Sequence, residues 1–129
     1  MDTALFHVFI GWAAVLLGAV SGAVMGVFFH EDAWAGGYGS FRRRMIRLGH
    51  ISFFGIGFLN LFFALTLTLI SLPDAYVRVA SLGFLIAVLA MPACCYLAAW
   101  KKPLRHLFPI PVVAVLVGVT SILFGWPTS

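Results

Sequence analysis

Charge is what this sequence has least of. Of its 129 residues 9% are charged, and only four are acidic: Asp2, Glu31, Asp32 and Asp74. Soluble domains carry about a quarter charged residues. With 63% hydrophobic residues and a mean hydropathy of +1.09, a water-soluble globule would have too little polar surface to solvate itself. Cysteine is equally sparse. Cys94 and Cys95 are adjacent inside an apolar run, where neighbouring helical positions point about 100° apart, an arrangement that suits neither a structural disulfide nor a shared zinc site. Hydrolytic signatures are missing as well: there is no G-x-S-x-G, no H-E-x-x-H and no glycine-rich phosphate loop following a strand. No Asp, Glu, Lys or Arg falls mid-way along an apolar run, whereas proton-coupled carriers commonly place such a group there to carry the coupling charge.

What the chain does have is four long apolar runs, each at or near the roughly 20 residues that cross a bilayer as a helix. They predict an all-α, polytopic membrane protein, a four-transmembrane-helix bundle with helices over about 4–29, 45–71, 75–100 and 108–126. The first run is about 39 Å long at the usual helical rise. It has no basic region before it and exceeds the apolar core of a signal peptide, so it reads as a retained helix. A polar, glycine-rich stretch from His30 to Ser40 follows, with Trp34 and Tyr38 suited to headgroup level. Ser71, Pro73 and Asp74 mark a tight turn. Pro92 interrupts the third helix, while Pro109 and Pro111 stand in the first turn of the fourth, where proline is tolerated. Without a linker, a low-complexity segment or an internal repeat, residues 1–129 read as a single integral membrane domain.

Seven of the eight basic residues lie in two connections: Arg42, Arg43, Arg44 and Arg47 in one, Lys101, Lys102 and Arg105 in the other. Arg78 alone is elsewhere. Because Lys- and Arg-rich loops stay cytoplasmic, residues 30–47 and 100–107 are expected inside and both termini on the non-cytoplasmic side. The net charge of +4 is thus explained by topology and by anionic lipid, with no nucleic-acid partner. The pattern suits a multi-pass protein of a bacterial inner membrane.

Gly18, Gly22 and Gly26 recur every four residues, extended by Gly11 and Ala14. Such stripes let helix backbones approach closely in lipid, whether within one chain, in a homo-oligomer or against another membrane subunit. The third helix has a similar face of Ala80, Gly83, Ala87, Ala90, Cys94 and Ala98. On the second, His50, Phe53, Gly57, Asn60, Ala64 and Thr68 share one side at 100° per residue, and this polar face is expected to point inward. An unpaired Asn60 amide in hydrocarbon would cost several kcal/mol, so it calls for a bond to another helix or a ligand.

His50 is the leading ligand candidate. Counted from the basic connections it lies about 8 Å into the second helix, at a depth shared by Met25, Met91, Cys94 and Cys95. An imidazole facing thioethers and thiols suits haem b iron or a soft transition metal such as copper(I), with His50, Met25 and Met91 as cofactor ligands or His50 and Cys94 as metal ligands. The competing reading makes Met and Cys ordinary apolar fillers and His50 a structural hydrogen-bonding residue. His7 lies too far along the first helix to share one haem with His50. His30, Glu31 and Asp32 form a local group of possible ligands that more often serves as a solvated helix end. His106, beside Arg105, suits lipid phosphate. Three functions follow: a non-enzymatic subunit or assembly factor of a larger membrane complex, such as a respiratory one; a haem- or metal-binding protein centred on His50, with electron transfer or quinone contact; and a small channel or carrier using the polar face of the second helix.

Overall fold

A computed structural model describes residues 2–127. Four long helices dominate it: α1 (Thr3–Phe28), α2 (Phe41–Leu69), α3 (Asp74–Trp100) and α4 (Pro109–Phe124). Short 3₁₀ turns at Trp34–Gly36 and Lys102–Leu107 lie in the two basic connections. The last of these runs on into α4, so that Lys102–Phe124 together is long and apolar enough to cross a membrane, as are α1, α2 and α3. The protein is therefore an all-α, multi-pass membrane protein with four spans.

Local chemistry sets the helix ends. The sequence pattern starts the second helix at 45, after the triplet Arg42–Arg44, but α2 begins at Phe41 because Ser40 caps it. The Ser40 hydroxyl accepts from the Arg43 backbone N–H at 3.1 Å and donates to the Ala35 carbonyl at 2.7 Å. A serine at the cap outweighs the polarity of the first turn, and arginine is itself a good helix former. The arginines are consequently helical, fixed on defined faces rather than strewn along a loop. Pro73 and Asp74 open α3 after a short connection, with the Asp74 carboxylate at the positive end of the helix dipole. Pro92 is buried within α3.

The helices pack in chain order, α1 on α2, α2 on α3 and α3 on α4, with a slight contact between α1 and α3. Glycine allows the two closest crossings. A Cβ built on Gly11 would stand 2.9 Å from the Gly57 carbonyl oxygen, so α1 and α2 meet backbone to backbone. On the other side, a Cβ on Gly83 would lie 2.6 Å from the Ala114 carbonyl oxygen, where α3 meets α4. Ala14, Ile56, Ala87, Val88 and Ala114 make a central core drawn from all four helices, and Phe63, Ala80 and Phe84 a second one nearer the termini. Small residues pack here for the reason that governs helices in lipid: close van der Waals approach replaces hydrophobic exclusion as the associating force.

Two details depart from the sequence reading. Gly26 meets nothing within 4 Å of a built Cβ, so the small-residue contact of α1 uses Gly11, Ala14, Gly18 and Gly22 and ends before Gly26. Thr68 is exposed and donates to its own helix at Leu65. It stands about 80° around α2 from Asn60 at 100° per residue, in the last turn, where the buried face has already rotated away.

Candidate functional site

Three polar nodes interrupt the apolar packing. The most enclosed lies toward the termini end. His7 on α1 is fully buried, with Nδ1 2.7 Å from Asn60 Oδ1 on α2 and Nε2 2.8 Å from Ser81 Oγ on α3. Its protonation pattern follows from the partners. Asn60 Nδ2 donates to the Ile56 carbonyl at 2.9 Å, and a carbonyl only accepts, so Asn60 Oδ1 must face His7. Nδ1 therefore carries the hydrogen, and in the neutral ring Nε2 accepts from the Ser81 hydroxyl. Phe63 meets the ring edge-to-face at a centroid distance of 4.8 Å. Both ring nitrogens of His7 and both polar side-chain atoms of Asn60 have a partner inside the protein, and burial closes the node to solute.

His50, the second node, sits on α2 against α1. Its Nδ1 is 2.8 Å from the Gly18 carbonyl oxygen and 3.2 Å from Ser21 Oγ, while Ser21 Oγ donates to the same carbonyl at 2.9 Å. Since Gly18 O only accepts, Nδ1 carries the hydrogen, and Nε2, which bears the lone pair in the neutral ring, has no hydrogen-bond partner among the described residues. Gly22 makes room for the ring: a Cβ there would stand 2.5 Å from His50 Cε1. Phe54 borders it edge-to-face at 5.4 Å. The imidazole is thus fixed in plane and tautomer by α1, and it is only partly buried.

The other proposed ligands lie as follows. Met25 is half-buried one turn beyond Gly22 on α1. Met91 packs against the central core of Ala14, Ile56, Ala87, Val88 and Ala114. Cys94 and Cys95 are buried free thiols on α3. His50 directs its polar contacts to α1, while Met91 packs on the central core to which all four helices contribute. Among the described residues no group of three or more His, Cys, Asp or Glu could hold a metal ion. The side chains of His30, Glu31 and Asp32 are exposed, as is His106.

The third node was hidden in the basic cluster. Arg43 is 2% exposed. Its guanidinium donates to the Phe29 carbonyl at 3.1 Å, Asp32 at 3.3 Å and Glu31 at 3.5 Å, gathering carbonyls just beyond the end of α1, where a cation complements the dipole. Three rings surround the charge: Phe29 at 4.6 Å, Trp34 at 5.3 Å and Tyr38 at 5.4 Å, and Arg47 lies over the Tyr38 ring at 4.8 Å. Trp34 and Tyr38, expected at the headgroup level, thus also form the walls of a cation–π cage that folds the connection onto α2. Both Arg43 and His7 escaped the sequence reading. The signal for Arg43 was Phe29, Trp34 and Tyr38 standing 13, 8 and 4 positions before an arginine run. For His7 it was a polar residue on each of three helices near one membrane face, obscured because His7 lies about 6 Å into α1 whereas Asn60 lies about 14 Å from the end of α2 at the usual rise.

Compared with known proteins, the chain matches no protein-family model, no curated protein and no solved structure, so its function is read from these nodes and from the surfaces around them.

Proposed function

We propose that this chain is a non-enzymatic subunit or assembly factor of a larger membrane complex in a bacterial inner membrane, with both termini on the non-cytoplasmic side. The observation that carries this reading is the open packing order. Only 17% of the most apolar window of α1 is buried, and the same share of the fourth span, against 33% for α2 and 44% for α3. The outer two helices offer long apolar faces, such as Leu16, Leu17, Val20 and Val24 on α1, to lipid or to further helices. The orientation rests on the seven basic residues gathered at one end. The closed His7–Asn60–Ser81 node supports a structural role for the interior, since a carrier needs polar groups that a solute can engage.

Cross-linking in native membranes tests it. Single cysteines at Leu16 and Val20, in a chain with Cys94 and Cys95 replaced by alanine, are expected to give one discrete adduct above the 14.0 kDa monomer. An adduct of twice the monomer mass indicates a homo-oligomer and any other mass a different subunit. Monomer alone from both positions and from matching positions on α4 would refute the proposal.

One observation favours a second reading, in which His50 ligates haem b or a soft metal. A histidine whose Nδ1–H is fixed on a backbone carbonyl, leaving Nε2 as a lone pair, has the outer-shell arrangement common among metal-bound histidines. Met25, Met91 and Cys94 are the soft donors this chain offers at that depth, and a second copy could supply another. Oxidised and reduced absorption spectra, with metal analysis of the same sample, distinguish the readings: a Soret band or stoichiometric metal lost in His50→Ala supports ligation, and a colourless, metal-free protein refutes it.

A further inference from the structure

We infer that the groove between α1 and α3 holds one anionic glycerophospholipid from the leaflet at the basic end, with an acyl chain against Phe53 and the phosphate at Arg42. The groove exists because α1 and α3 barely touch, leaving a cleft of about 370 Å³ walled by Ala13 and Leu17 on one side and Leu89, Pro92 and Ala93 on the other, with Phe53 of α2 as its floor. Tyr96 closes this cleft at the basic end and also lines a second recess of about 370 Å³ with Arg42, Ile46, Ala99 and Trp100. One ring therefore joins an apolar channel to a cationic mouth. Tyr96 is held there by Gly49, where a built Cβ would stand 2.9 Å from the Tyr96 Cζ.

Arg42 is prepared for an anion. Its Nε donates to the Ala99 carbonyl in the last turn of α3 at 3.0 Å, which aims the side chain across the recess and leaves both terminal nitrogens without a hydrogen-bond partner among the described residues. Lys101 extends over the Trp100 ring at 4.6 Å beside it, adding a second positive charge. A phosphodiester matches this pair of donors, since guanidinium binds phosphate oxygens in a fork. Tyr96 and Trp100 are the aromatic types favoured at headgroup level.

The dimensions suit a lipid better than another helix. From Val88 to Trp100 is about 18 Å along α3, close to the roughly 15 Å of one leaflet's hydrocarbon. The guanidinium nitrogens left free at the mouth call for an anion, which a lipid phosphate supplies and an apolar helix does not. The groove between α3 and α4, about 540 Å³ and lined by Val79, Ile86 and Val113 among others, has no cationic residue in its lining and is not assigned a lipid.

Native mass spectrometry of the full chain, released from nanodiscs of equal phosphatidylglycerol and phosphatidylcholine with matched chains, tests the inference. Wild type is expected to retain one phosphatidylglycerol with about thirtyfold preference, as two cations near the surface would give. Arg42→Gln should reduce the preference to about fivefold or less, while Arg44→Gln, exposed and outside the recess, should leave it unchanged. Ala93→Phe, an exposed position on the cleft wall, should remove the retained lipid, with an unchanged melting temperature in detergent verifying its fold. Equal retention of both lipids by wild type, equal losses in Arg42→Gln and Arg44→Gln, or lipid still retained in a folded Ala93→Phe would each overturn it. So would a wild-type protein released only as a lipid-free dimer.

Discussion

The two intramembrane histidines face the same solvent problem and solve it differently. His7 places both ring nitrogens on partners from two other helices and is fully buried, whereas His50 engages one nitrogen, on a single neighbouring helix, and remains partly exposed. The comparison shows what polarity does in an apolar protein. Where three helices converge, a polar node joins them and both imidazole nitrogens are engaged; at a two-helix seam, the same residue type orients itself and leaves one nitrogen free. The first arrangement favours a fixed architecture, and only the second is chemically available.

The sharpest way to break this comparison is to remove each histidine. His7→Ala should cost about 3 kcal/mol, because it leaves a cavity among Phe63, Asn60 and Ser81 and strands the Asn60 carbonyl; thermal or denaturant unfolding in detergent reads it, and a loss below that of His50→Ala would reverse the ranking. Arg43→Ala should follow at about 2 kcal/mol, with the loss concentrated in faster hydrogen exchange over residues 29–40, since the carbonyls and rings gathered there lose their common centre.

Asn60→Leu is expected at about 1–2 kcal/mol, near the upper range for interhelical hydrogen bonds in lipid. Combined with His7→Ala it should cost less than the sum of the two, as residues in one network do; additive losses would mean that the two side chains do not act together. His50→Ala should cost about 1 kcal/mol or less, the scale of one such bond. Smallest of all, Thr68→Val should stay within about 0.5 kcal/mol, because the threonine bonds only its own exposed turn. A larger effect would return Thr68 to the inward face predicted from periodicity.

Much of the scaffold was legible from composition and periodicity. Four spans, the turn at Pro73, the inward side of α2 at Gly57, Asn60 and Ala64, and the small-residue contact of α1 all follow from hydropathy and 100° spacing, which report the local backbone and its immediate surroundings. Thr68 shows where the method fails: a face computed over five turns ignores where the neighbouring helix ends. Gly26 is likewise in phase with the stripe, yet a Cβ built there meets nothing within 4 Å.

By itself the sequence determined that this protein is an all-helical, multi-pass membrane protein with its basic residues gathered at one end, because bilayer crossing depends on the summed hydropathy of contiguous residues. Tertiary structure decided everything that depends on partners from distant positions. It turned His7 toward Asn60 and Ser81, buried one arginine of a triplet in an aromatic cage while tethering its neighbour to α3, and set His50 on the Gly18 carbonyl. Hydrogen bonds and close packing act over a few ångströms between residues up to 74 positions apart, and that distance has no counterpart in the order of residues along the chain.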